Sequence, residues 1–185
     1  SSKISYSISF YEKYSLYSGH SCYHDETTLI IHFTYSILFM IDIFNAFYHG
    51  KRVLVTGHTG FKGSWLSIWL HELGAEVIGV AQEPFSERDN FVLSGIGKRI
   101  KADIRADICD GERMKAIFRE YRPDIVFHLA AQPLVRLSYD IPVETYRTNV
   151  MGTINILEAI RVTDSVKVSV MITTDKCYEN KEQIW

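Results

Sequence analysis

The chain has 185 residues, 46% of them hydrophobic and 23% charged, with a formal net charge of −2. That is enough for one domain with a sizeable core, and it argues against disorder over most of the length. The near-neutral balance offers no electrostatic footprint for nucleic acid or acidic lipid. Cys22, Cys109 and Cys177 are too widely spaced for a metal-ligand cluster or a disulfide framework, so no metal is expected and a reducing, cytoplasmic setting is the default.

The first forty residues differ from the rest. Ser and Tyr crowd them, no Ala precedes Ala46, and Gly19 is the sole Gly before Gly50. Neither a helical nor a strand period is sustained there. The stretch from Thr27 to Ile41 is free of Asp, Glu, Lys and Arg, but at about fifteen residues it falls short of the roughly 20 that span a bilayer. No membrane role is expected. Met40 makes a natural start, which leaves residues 1–39 as an unassigned extension and 40–185 as the domain.

From Lys51 strands and helices alternate. Val53-Leu54-Val55 reads as a buried strand. Trp65, Leu66, Trp69, Leu70 and Leu73 recur at three and four, which predicts a helix with those residues on one face, ended by Gly74. A strand is predicted over Val77 to Val80, a loop over Gln82 to Gly97, and a strand over Arg99 to Ile104. Asp110 caps a helix that runs to Tyr121 and stops at Arg122-Pro123. Ile125 to Leu129 is a fourth strand, Pro142 opens a long helix to Arg161, and Lys167 to Ile172 is a fifth strand. This alternation predicts an α/β fold with a doubly wound parallel sheet, a Rossmann domain.

Gly57, Gly60 and Gly63 form G-x-x-G-x-x-G between the first strand and the first helix. Glycines allow a sharp turn and close approach to a pyrophosphate, and the helix start supplies N–H donors. That pattern in the first βαβ unit points to a dinucleotide. The second strand ends in Val80-Ala81-Gln82-Glu83. Its acid lies slightly beyond the usual ribose-binding position, and no Arg stands at that end to hold a 2′-phosphate, which favours NAD. His128, inside an apolar strand, reads as structural. Arg136 could meet a substrate phosphate or pair with Asp140 or Glu144; Tyr139 and Tyr146 could pack or line a sugar pocket.

The run from Gly57 to Trp65 resembles the extended short-chain dehydrogenase/reductase family and, within it, the CDP-glucose 4,6-dehydratases. His128 to Tyr139, Pro142 to Tyr146, Thr148 to Thr153 and Thr173 to Tyr178 extend the likeness, which begins near Lys51 and excludes residues 1–39. The resemblance implies that Gly57, Gly60, Phe61, Lys62 and Gly63 cradle the NAD pyrophosphate. It implies that Asp107 and Ile108 meet the adenine, Asp103-Ile104 being a competing match. Leu129, Ala130, Ala131 and Gln132 would line the ribose and nicotinamide side, with Asn149 beside them. In similar enzymes C4 of a sugar nucleotide is oxidised, water leaves across C5 and C6, and the hydride returns to C6. Thr174 would then bind the C4 hydroxyl, Asp175 would be the acid, and Lys176 the base or proton relay.

The family's Tyr-x-x-x-Lys does not occur between Tyr178 and Trp185. The chain is therefore expected to be the N-terminal part of a dehydratase, homodimeric when whole, and not to turn over alone. An incomplete sheet would expose an edge and apolar helix faces. A non-catalytic NAD-binding remnant of a disrupted gene and half of a sugar-nucleotide epimerase are the alternatives.

Overall fold

The computed structural model describes residues 44–174. The readings of residues 1–39, of the apolar stretch ending at Ile41, and of Asp175, Lys176 and Tyr178 lie outside the described residues.

The elements follow the predicted alternation. They are β1 (Arg52–Thr56), α1 (Phe61–Glu72), β2 (Glu76–Ala81), α2 (Asn90–Ser94), β3 (Ala102–Arg105), α3 (Gly111–Tyr121), β4 (Ile125–His128), α4 (Val135–Asp140), α5 (Pro142–Tyr146), α6 (Thr153–Arg161) and β5 (Val168–Met171). Among the described residues the strands form one sheet in the order β3-β2-β1-β4-β5, with every pairing parallel. The order reverses between β1 and β4, which opens a crevice at their C-terminal ends.

Alternation along the strands builds two cores. Val53, Val55 and Val77 pack on one face with Leu70 of α1, Phe91 of α2, and Ile96. Leu54, Ile78, Val80 and Val126 pack on the other with Met114, Ile117 and Phe118 of α3 and with Ile156 and Ala159 of α6. Each fully buried aliphatic side chain stabilises the fold by about 1.5–3 kcal/mol, so both faces are covered and the sheet is doubly wound.

Four local expectations are corrected. Trp65 and Trp69 are 53% and 46% exposed, and α1 instead buries Gly63, Ser64, Ser67 and Leu70. The reason is close approach: a Cβ on Gly63 would sit 2.0 Å from the Gly57 carbonyl oxygen, so this face needs small residues. The expected loop between Gln82 and Gly97 contains α2, whose Phe91 anchors it in the core. β3 starts at Ala102 rather than Arg99, because residues Ile96–Lys98 form a tight helical turn that places Ile96 and Ile100 in the core. The long helix after Pro142 is helical to Arg161, but Arg147–Gly152 widens into a π-helical turn between α5 and α6. Asp110 caps α3 as read, its carboxylate accepting from Arg113 N at 2.9 Å.

Candidate functional site

The glycine turn joins β1 to α1. Gly57 has φ +76°, and a Cβ there would meet Ala130 N at 2.8 Å, so the turn and the end of β4 touch backbone to backbone. Gly57 N donates to Val80 O of β2. The turn is thus fixed to both neighbouring strands. Gly60 precedes α1 with extended backbone and no side-chain cap, and no acid lies in the first turn. The first N–H groups of this 12-residue helix lack intrahelical partners. Gly60, Phe61 and Lys62 are exposed. An uncapped, exposed helix start beside a backbone turn fits a pyrophosphate. Gly60 and Phe61 also line a cavity of about 470 Å³ with Phe85, Arg88 and Asn90.

A second cavity, of about 560 Å³, opens at the ends of β4 and β5. Ala130, Ala131, Gln132, Asn149, Thr153 and Thr174 share its wall. Five of these are residues singled out in the sequence. Leu129 is half-buried and donates its N–H to Thr56 Oγ1 at 3.1 Å.

A chain of hydrogen bonds supports that wall. Thr56 Oγ1 accepts from Leu129 N and Ala130 N (3.1 and 3.2 Å) and lies 2.7 Å from His128 Nδ1. His128 Nε2 lies 3.1 Å from Thr153 Oγ1, which donates to Asn149 O at 2.7 Å. With two N–H groups already donating to Thr56, its hydroxyl donates to His128 Nδ1, and His128 carries its proton on Nε2. Burial holds the His128 pKa below the ordinary histidine value, which keeps the ring neutral. His128 is structural, as its apolar strand predicts. Thr56 and Thr153 went unread, since nothing marks a threonine as a strand-to-helix link until the elements meet.

Asn149 stands in the π-helical turn. Its Oδ1 accepts from Gln132 N at 2.8 Å and its Nδ2 donates to Gln132 O at 3.1 Å. The Gln132 side chain is itself engaged, accepting from Leu134 N and donating to Leu134 O and Thr145 Oγ1. Both residues shape the cavity wall through these bonds.

Asp107 and Ile108 follow β3 but line neither cavity. Asp107 Oδ1 accepts from Cys109 N at 2.8 Å, and Ile108 is 4% exposed in the core. Asp103 lies within β3 and is bound to His58 Nε2 (2.7 Å) and to Arg105. Arg136 is exposed and pairs with neither Asp140 nor Glu144; Glu144 faces Arg147 at 3.6 Å. Tyr139 and Tyr146 are 81% and 71% exposed.

The reading that no Arg stands near the end of β2 is corrected. Ala81 and Arg105 are register partners, so β3 supplies an arginine beside that strand end. Sequence distance concealed it. Among the described residues no group of three or more His, Cys, Asp or Glu could hold a metal, and no helix is long and apolar enough to cross a membrane.

Residues 54–184 match the GDP-mannose 4,6 dehydratase family. The chain is 51% identical over 146 residues to CDP-glucose 4,6-dehydratase from Salmonella typhimurium, covering 79% of this chain and 40% of that protein. It is 37% identical over 110 residues to a probable dTDP-glucose 4,6-dehydratase from Sinorhizobium fredii, covering 60% and 31%. Among solved structures, UDP-glucose 4-epimerase from Stenotrophomonas maltophila, with bound NAD and formylated UDP-arabinopyranose, aligns with a TM-score of 0.61 and 32% identity over 72% of this chain and 40% of that one. The chain thus spans two fifths or less of the length of these curated relatives.

Proposed function

The chain belongs to the GDP-mannose 4,6 dehydratase family, and from that premise we propose that it is the NAD-binding part of a 4,6-dehydratase that converts CDP-glucose to its 4-keto-6-deoxy product. The observation that carries the cofactor reading is the uncapped start of α1 against the Gly57 turn. CDP-glucose rests on the 51% identity to the Salmonella enzyme.

NAD, when bound, supplies the hydride acceptor for C4 and the hydride donor for C6. In this reading Gly57, Gly60, Phe61, Lys62 and Gly63 hold the pyrophosphate. Ala130 and Ala131 leave room for a flat ring because their side chains are small. Gln132 and Asn149 keep that wall in place. Asp107 and Ile108 belong to the adenine side, the first by fixing the turn into α3. Thr174 binds the C4 hydroxyl, Asp175 gives a proton to the leaving hydroxyl, and Lys176 takes the C5 proton or relays it. The whole enzyme is a homodimer in this account. Val143, Tyr146, Val150 and Ile154 form an exposed apolar stripe along α5 to α6, which suits a second copy.

The epimerase neighbours favour a second reading, half of a sugar-nucleotide epimerase. Asp175-Lys176 favours the dehydratase. The test is a chimera in which residues 51–185 replace the matching part of the Salmonella enzyme. Incubated with CDP-glucose and NAD, it is expected to yield a nucleotide sugar lighter by one water, and D175N in the chimera is expected to stop that loss. The 185-residue chain alone is expected to bind NAD without turnover. A chimera that inverts C4 without losing water would establish the epimerase reading instead.

A further inference from the structure

Two stretches of chain share the cavity at the ends of β4 and β5. One leaves β4 through Ala130, Ala131 and Gln132; the other runs from Asn149 in the π-helical turn to Thr153 at the start of α6. Among the described residues two sets of hydrogen bonds join them. One is Asn149 on the Gln132 main chain. The deeper one is the Thr153 hydroxyl, 3.1 Å from the buried His128 Nε2 and 2.7 Å from Asn149 O. A hydroxyl has one proton to give. Thr153 gives its own to Asn149 O, so toward His128 it accepts. Thr56 donates to His128 Nδ1 while accepting from Leu129 N and Ala130 N. Every donor in this row points the same way, from the peptides past β4 to the π-helical turn, and such alignment strengthens each bond through its neighbours. Local preference does not account for a threonine at this place. Thr153 has ordinary helical backbone, φ −62° and ψ −42°, where threonine is a poor helix former and a bond back to the carbonyl four residues earlier slightly weakens the helix.

We propose that Thr153 is a positioning residue for the nicotinamide end of the cofactor: its hydroxyl, set between His128 and the Asn149 carbonyl, fixes the spacing of the two stretches that line the second cavity. It acts through His128 and Asn149 rather than on a reacting atom. Spacing matters for a flat ring because a gap widened by about 0.5–1 Å forfeits roughly a quarter to a half of each dispersion contact. Without the hydroxyl, Asn149 alone ties the turn to the end of β4. The assignment rests on the cofactor reading proposed above.

The experiment is a calorimetric titration of the full 185-residue chain with NAD and, separately, with ADP-ribose, which is NAD without its nicotinamide. The parent chain is expected to hold NAD more tightly, since ADP-ribose leaves the second cavity empty. T153V keeps the side-chain shape and removes the hydroxyl. It is expected to weaken NAD by about three- to tenfold, the scale of one hydrogen bond, and ADP-ribose by no more than about twofold. T153A removes the same hydroxyl with the best helix former and is expected to act in the same direction, which keeps the test open if T153V does not fold. T153S keeps the hydroxyl and is expected to restore the preference for NAD. A merely structural role would weaken both ligands together. Equal weakening of both, a preference that T153V and T153A leave unchanged, or a T153S that behaves as T153V would overturn this assignment. A parent chain that binds both ligands equally would also overturn it and leave the pyrophosphate reading standing. A folded parent chain that binds neither would overturn the cofactor reading and this assignment with it.

Discussion

Asn149 binds both main-chain polar groups of Gln132, its Oδ1 accepting from the N–H at 2.8 Å and its Nδ2 donating to the carbonyl at 3.1 Å. One side chain thereby replaces the strand neighbour that the backbone lacks just past the end of β4. The grip comes from the π-helical turn, which also places Thr153 one turn on, against His128.

N149A removes both bonds and leaves the half-buried Gln132 N–H and C=O short of partners. At about 1 kcal/mol for each bond, the expected loss is about 2 kcal/mol, read as a lower urea midpoint. N149D keeps the acceptor but turns a carboxylate oxygen toward the Gln132 carbonyl, so its loss is expected to be at least as large. An unchanged midpoint in N149A would show that the grip contributes nothing.

His58 and His128 both have folded pKa values held below the ordinary histidine value, chiefly by burial. The unfolded chain, with histidines near 6.5, therefore takes up protons first as the pH falls. The stability from their neutral forms is complete above that range and is lost progressively below it. The melting temperature is expected to fall between pH 7.5 and 5.5, and less steeply in H128Q. A melting temperature that rises over this interval would contradict the neutral hydrogen-bonded ring.

Much of this was legible in the sequence. Val53 to Val55 alternate between two cores, Asp110 caps α3, and the glycine spacing marks the turn. The face of α1 was not legible, because large apolar residues usually point inward and only the contact between Gly57 and Gly63 explains why the two tryptophans cannot. The π-helical turn was not legible either, since its residues keep a helical pattern. The pairing of Ala81 with Arg105 depends on strand register, which no local motif encodes.

Gly79 makes room for His58. A Cβ there would sit 2.3 Å from His58 Cδ2, and the ring is fully buried. G79A is expected to destabilise by about 1–3 kcal/mol, the usual cost of overpacking. H58A opens that space, so adding G79A to it is expected to cost much less than G79A alone. Strictly additive effects in the denaturation series would mean that the two positions are uncoupled.

Direct titration of NAD into the folded 185-residue chain tests whether the β1–α1 turn holds NAD. Saturable one-to-one binding is expected, weakening sharply in G63A, where the new methyl would strike the Gly57 carbonyl. A chain that melts cooperatively yet shows no NAD binding, or a G63A variant that binds as well as its parent, would contradict it.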